Sequence, residues 1–183
     1  VMGWQGAAWL ERDEREREER TDLLVTALQL KPGMVVADIG AGTGYLARRM
    51  APAVMPGGRV LAVDVQPEMV ALLHTSARRS GLTQIQPLLG AEDDVKLAAS
   101  SVVLAIMVDV YHELAAPQAF LRRLRPALKR DGRLVLLEFR KEDPDVPIRL
   151  EHKMTVEEAT AEIEAEGFAL DRVISTLPRQ PHL

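Results

Sequence analysis

The sequence has no cysteine in its 183 residues. That excludes a disulfide framework, a cysteine-ligated zinc or iron–sulfur site and a thiol nucleophile. Long apolar runs are missing too. The longest, Val102–Val108, is far short of the roughly 20 residues that a membrane-spanning helix needs. The opening Val1-Met2-Gly3-Trp4 is neither basic nor apolar enough for a secretory signal, so the cytoplasm is the expected compartment. Position 1 is not methionine, which suggests a start inside a longer chain. Positive charge is not in excess: a net charge of −4 argues against a dedicated nucleic-acid binder. Repeats, low-complexity tracts and interdomain linkers are absent. What is present is an ordinary globular composition, 47% hydrophobic and 27% charged. The length fits one domain, with chain enough to bury a core unaided.

Residues 1–30 read as a helical arm and 31–183 as the main domain, the two making one compact unit. In 11–20, Glu11–Arg15, Asp13–Arg17 and Glu16–Arg20 stand four apart. That spacing stabilises an isolated helix by about 0.2–0.5 kcal/mol per pair. Most of these charges are expected on a solvated face, while Trp4, Trp9 and Leu10 dock the arm on the main body as a lid. Beyond Lys31-Pro32-Gly33, β-branched apolar runs alternate with helical stripes. Strands are predicted at 34–39, 59–65, 84–89, 101–108, 133–139 and 168–175. Helices are predicted at 45–54, from Pro67 to a stop at Gly81, and at 117–129 and 155–166; 144–147 reads as a loop. Near-continuous apolar strands between helices imply a doubly wound, mostly parallel α/β sheet with helices on both faces. Pro178 and Pro181 cannot donate ladder bonds, so six strands are expected, with a final antiparallel strand missing or truncated.

The strongest chemical signal is Asp38-Ile39-Gly40-Ala41-Gly42-Thr43-Gly44, between a strand and a helix. Glycines there let the backbone turn tightly and approach a ligand closely, although a glycine triplet can also be only a turn. A dinucleotide loop wants glycine or alanine where this chain has Tyr45. Asp38, two residues before the first glycine, would repel a diphosphate and attract a cationic ligand. Asp64 ends the second strand, where an acid can take both hydroxyls of a ribose; its other reading is a helix cap.

These blocks, with Met107-Val108-Asp109-Val110-Tyr111-His112 at the end of the fourth strand, resemble class I S-adenosylmethionine-dependent methyltransferases from about Leu30 onward. The resemblance implies a Rossmann-like fold, S-adenosylmethionine as cofactor and S-adenosylhomocysteine as product. It places Asp38 near the methionine amino group and the Gly40, Ala41, Gly42 and Gly44 loop close under the cofactor. Asp64 takes the ribose, with Val65, Gln66 and Met69 beside the adenine. An acid after strand three meets the adenine edge; Glu92, Asp93 and Asp94 are adjacent candidates. Met107 lines the cofactor.

Nucleobase amino-methyltransferases carry an Asn/Asp-Pro-Pro-Tyr block after strand four; Asp109-Val110-Tyr111-His112 lacks its prolines. With the acidic charge, this points to a small-molecule acceptor, with no nucleic acid and no membrane, and a homodimer is compatible with it. His112 is the expected acceptor-side base, with Tyr111 and Asp109 beside it. A histidine ordinarily titrates near neutrality, as such a base should. The bland reading of Tyr111 and His112 is a polar helix start. His152 reads as a loop histidine. Asp109, His112 and Glu138 make only a thin metal-ligand set, so no metal is expected. Two other functions stay open: a non-catalytic module binding S-adenosylmethionine or S-adenosylhomocysteine, and a nicotinamide oxidoreductase, against which Tyr45 and Asp38 count.

Overall fold

In the computed structural model, which describes residues 2–142, 149–175 and 177, the chain opens with three short helices, α1 (Ala7–Leu10), α2 (Arg15–Glu19) and α3 (Thr21–Ala27). It then alternates through β1 (Val35–Ile39), α4 (Tyr45–Met50), β2 (Arg59–Asp64), α5 (Pro67–Arg79), β3 (Ile85–Leu89), β4 (Val102–Val108), α6 (Pro117–Leu124) and β5 (Leu128–Leu137). The five strands pair in parallel in the order β3-β2-β1-β4-β5. Two residue pairs, β6 (Phe139–Arg140) and β7 (Lys153–Met154), form a separate small parallel ladder before α7 (Val156–Glu164).

Alternation along the strands builds two core layers, because successive side chains leave opposite faces of a sheet. Val36, Leu104 and Ile106 pack with Leu24, Met50 and Leu73 on one face. Ala37, Ala105 and Met107 pack with Tyr111, Phe120 and Leu121 on the other. Apolar sequence on both faces is what a parallel sheet covered by helices requires. The chain order reverses direction between β1 and β4, which opens a crevice at their carboxyl ends.

Four expectations need correction. The segment 168–175 forms no strand: it has no ladder partner among the described residues, and Leu170 and Val173 lie exposed. Its apolar alternation is real, but alternation stabilises a strand only where an edge is offered to it. Among the described residues the main sheet therefore has five strands, not six. Second, α6 stops at Leu124, in front of Pro126, where a 3-10 turn takes over; β5 then begins at Leu128 and bulges, with Leu128 on Val102 and Arg133 on Leu104. Third, the expected pairs within 11–20 are replaced. Glu11 bonds Arg48 (2.6 Å), Glu16 bonds Arg49 (2.8 Å) and Arg15 bonds Glu19 (2.8 Å). Fourth, the arm is not one helix: Arg20 takes a left-handed φ of 47° between α2 and α3. The loop at 144–147 and all of the tail beyond Leu177 lie outside the described residues.

Candidate functional site

A cavity of about 1420 Å³ opens at the carboxyl end of the sheet. Its floor is the glycine loop. Gly40, Gly42 and Gly44 have φ of 72°, 54° and 84°, in the left-handed region that side chains resist. A Cβ on Gly40 would stand 2.4 Å from Val110 Cγ2, so that loop also has no room for one. Both Gly40 and Ala41 donate their N–H groups to Val63 O (2.9 and 3.0 Å), which ties the loop to β2.

Asp64 fixes the next turn. Its Oδ2 accepts from Gly42 N–H and its Oδ1 from Gln66 N–H, each at 2.9 Å. The carboxylate is buried, and the lone pairs left over face a cavity that Asp64 lines together with Val65, Gln66 and Met69. Asp38 differs. Its side chain is buried, and its Oδ2 has no hydrogen-bond partner. Burial pushes its carboxyl up to about 7, against the pull of the Arg15 guanidinium and a backbone N–H. A buried acceptor atom without a partner is costly and calls for an explanation.

Several of the expected cofactor residues do not line this cavity. Gly44 starts α4, and a Cβ there would press on Leu73 (3.2 Å). Met107 is fully buried among the α6-side core residues. Asp93 is drawn outward to Arg123, and Asp94 caps Lys96 N–H; Glu92, of the three adjacent acids, lines the cavity.

The far end of the cavity is a side-chain cluster. Asp109, at φ 53°, and His112 lie on its wall. Glu138, buried at the end of β5, accepts from Tyr111 N–H (2.8 Å) and meets His112 Nδ1 at 2.5 Å. An ionised carboxylate only accepts, so Nδ1 donates to it, and in the neutral ring Nε2 then carries the lone pair. That Nε2 lies 3.1 Å from His152 Nδ1. Tyr111 itself points away: its ring is in the core and its hydroxyl donates to Glu162 (2.9 Å). His152 and Glu113 are members of this end that the sequence reading missed. No local signal finds His152, which lies 40 residues from its partner; Glu113, adjacent to His112, was in view.

The arm covers the cavity from above. Leu10 Cδ1 stands 2.9 Å from where a Gly42 Cβ would be. Glu11 holds the Thr43 hydroxyl as well as Arg48. Gln66 accepts from Trp4 N–H and donates to Met2 O, both at 2.8 Å. Arg15 and Arg49 stack on the buried Tyr45 ring at 4.1 and 3.6 Å. Trp4 and Trp9 remain about half exposed.

A switch-point cavity with a glycine loop and acids on two neighbouring strands defines a nucleoside-binding α/β protein. The chain belongs to the methyltransferase-domain family, which matches residues 36–132. A SAM-dependent methyltransferase from Aquifex aeolicus superposes with a TM-score of 0.89 at 26% identity, covering 96% of this chain and 93% of that one. Nocamycin O-methyltransferase of Saccharothrix syringae is 31% identical over 117 residues, 62% of this chain and 40% of that protein. A protein-L-isoaspartate O-methyltransferase of Aeropyrum pernix is 38% identical over 58 residues, 32% of this chain and 22% of that protein. The chain thus spans less than half the length of these curated relatives.

The family's cofactor is S-adenosylmethionine, and the residues present fit it. Its cationic end suits the partnerless Oδ2 of Asp38, and its ribose hydroxyls suit Asp64. Among the described residues, no helix is long and apolar enough to cross a membrane.

Proposed function

We propose that this chain transfers a methyl group from S-adenosylmethionine to a small protic molecule held at the His112 end of the cavity. One observation carries the reading: Asp38, whose buried carboxylate oxygen has no hydrogen-bond partner, and His112, which pairs with Glu138, line one and the same cavity. Its volume of about 1420 Å³ exceeds the roughly 300–1,000 Å³ of a single-ligand pocket, which leaves room for a second molecule.

Bound S-adenosylmethionine supplies an already activated, electrophilic methyl group. The chain's own work is then to position, to exclude water and to manage one proton. Asp38 places a negative charge beside the cationic end of the cofactor, while Asp64, itself fixed by the Gly42 N–H, holds the ribose end in register. The arm shields the cavity from water, which is the lid role we propose for residues 1–30. His112 Nε2, aimed by Glu138, accepts the proton of the acceptor, with Asp109 on the same wall.

Calorimetry with S-adenosylmethionine, S-adenosylhomocysteine and NADH is the first test. Binding of the first two and not the third is expected; preference for NADH would overturn the reading in favour of hydride transfer. A methyl-acceptor screen using small phenols, enols and amines beside isoaspartyl peptides follows. Methylation of a small molecule is expected. Methylation of the peptides alone would replace the small-molecule acceptor by a protein, and methylation of nothing in the screen by a protein that binds the cofactor would favour a non-catalytic module.

A further inference from the structure

His112 and His152 come from segments 40 residues apart, yet their Nε2 and Nδ1 atoms face each other at 3.1 Å with the rings nearly perpendicular, at 76°. A donor atom of Glu113 joins them, all three lying within 4.8 Å of one another on the wall of the cavity. Two nitrogens bound to one tetrahedral ion, each about 2.0–2.1 Å from it, stand about 3.3 Å apart. The observed spacing is close to that value, and a carboxylate oxygen of Glu113 lies within 4.8 Å of both nitrogens.

The surroundings fit a metal better than a chance meeting of histidines. Glu138 grips His112 Nδ1 at 2.5 Å and is itself held by Tyr111 N–H at 2.8 Å. That is how the outer carboxylate of a metal-binding histidine works: it fixes the ring and the tautomer and leaves the other nitrogen free to ligate. Glu138 is buried and so is the His112 side chain, which favours one fixed orientation. Two imidazoles and one carboxylate are the donor set of a catalytic zinc site with an open fourth position.

We propose that His112 Nε2, His152 Nδ1 and a carboxylate oxygen of Glu113 bind one divalent ion of the zinc class, with Glu138 as the positioning residue. The open position faces the cavity, where the oxygen of an acceptor hydroxyl or enol can occupy it. This last step rests on the methyl-transfer reading, whereas ion binding does not. The bound oxygen loses its proton to water because the ion lowers its pKa. The oxygen's electron pair then forms the bond to the methyl carbon as the carbon–sulfur bond of S-adenosylmethionine breaks, its electron pair staying on sulfur to leave S-adenosylhomocysteine. The ion keeps its charge throughout. In the metal-free protein the proton goes to His112 Nε2 instead. The acceptor class thus narrows to hydroxyl and enol compounds.

The test is metal binding by the full, chelator-stripped chain without cofactor or acceptor. One equivalent of Zn²⁺ or Co²⁺ should bind, and Co²⁺ should show the intense visible bands of a site with few ligands. His152→Ala should lose at least about 100-fold in affinity and those bands. Glu138→Gln should lose about 10–100-fold. His74→Ala, in the exposed histidine of α5, should bind as the parent does. Circular dichroism and S-adenosylmethionine affinity check that each variant folds and keeps its cofactor end. No stoichiometric binding, or full binding by His152→Ala, would overturn the site and show that the two rings share only a proton. Loss of binding in His74→Ala would also overturn it. Because the readout is the ion, a failure here leaves cofactor binding and turnover untouched, and a failure of those leaves the ion binding untouched.

Discussion

The two ends of the cavity are built from different material. At the cofactor end the backbone does the work. Seven consecutive residues, Asp38 to Gly44, carry the loop, and Asp64 clamps it through the N–H groups of Gly42 and Gln66. At the acceptor end the contacts run between side chains, Glu138 to His112 to His152, from three separate segments. A backbone site is local, so its geometry follows from residue types at fixed spacing. A side-chain cluster exists only after the chain has folded. The ends should therefore fail independently when mutated.

His112→Asn is the sharpest break of that comparison. It keeps a polar group but removes the basic nitrogen that faces His152. Turnover with the true acceptor should fall by about 10²–10⁴, with the S-adenosylmethionine dissociation constant unchanged. Loss of cofactor affinity as well would mean that the ends are one unit.

Asp64→Ala tests the opposite end and should cost less. Removing the carboxylate takes away a charged hydrogen-bonding group, worth about 1.5–3 kcal/mol of cofactor binding. It also strands Gly42 N–H and Gln66 N–H, so the melting temperature should drop too. Unchanged affinity in the folded variant would remove Asp64 from the ribose.

The same contrast decides what the sequence could show. Strands β1 to β4 were legible as short apolar runs and β1's loop because glycine spacing fixes backbone angles, whereas the polar first half of β5, Lys129 to Arg133, hid its start at Leu128. Tyr111 was misplaced because a residue next to His112 can turn its ring to either side of the wall; here it fills the core. Met107 follows from alternation: Ile106 and Met107 leave opposite faces, and both are closed over by helices. The arm was misread because charge pairs four apart suit an isolated helix, whereas here Glu11 and Glu16 find stronger partners on α4, in Arg48 and Arg49. His152 had no local signal at all, since only the fold brings it to His112.

Acidity offers a third, smaller test of the cofactor end. Burial holds the Asp38 carboxyl up at about 7, and a cationic ligand needs it ionised. Binding must expel a proton below that pH, so affinity should be about tenfold weaker at pH 6 than at pH 8. In the cofactor-free protein the folded state holds this proton more tightly than the unfolded chain. The stability that Asp38 contributes is therefore full below the ordinary carboxylate range and is lost as pH rises through about 7. Asp38→Asn should flatten both profiles, as read by calorimetry and thermal melts across pH. A wild-type affinity that is flat from pH 6 to 8 would remove the charge pairing.

The smallest effect belongs to the arm, which touches the cofactor end from outside. Glu11 reaches Arg48 at 2.6 Å and takes the Thr43 hydroxyl within the glycine loop, with Leu10 resting above Gly42. Glu11 is 39% exposed, so water and salt screen its pair, and such pairs contribute about 0–1 kcal/mol. If the arm is a lid over the cofactor, Glu11→Ala should loosen the lid without altering the floor beneath it. The off-rate of S-adenosylmethionine should rise about two- to fivefold, corresponding to the upper part of that range. The on-rate should stay within a factor of about two, because unlatching does not obstruct entry. Added salt should speed release from the parent protein more than from the variant, since the screened pair is already gone from the latter. Turnover at saturating cofactor should hold, because Glu11 is not among the residues lining the cavity. An off-rate equal to the parent's, with the same salt dependence, would show that the arm is a fixed wall of the cavity and not a lid.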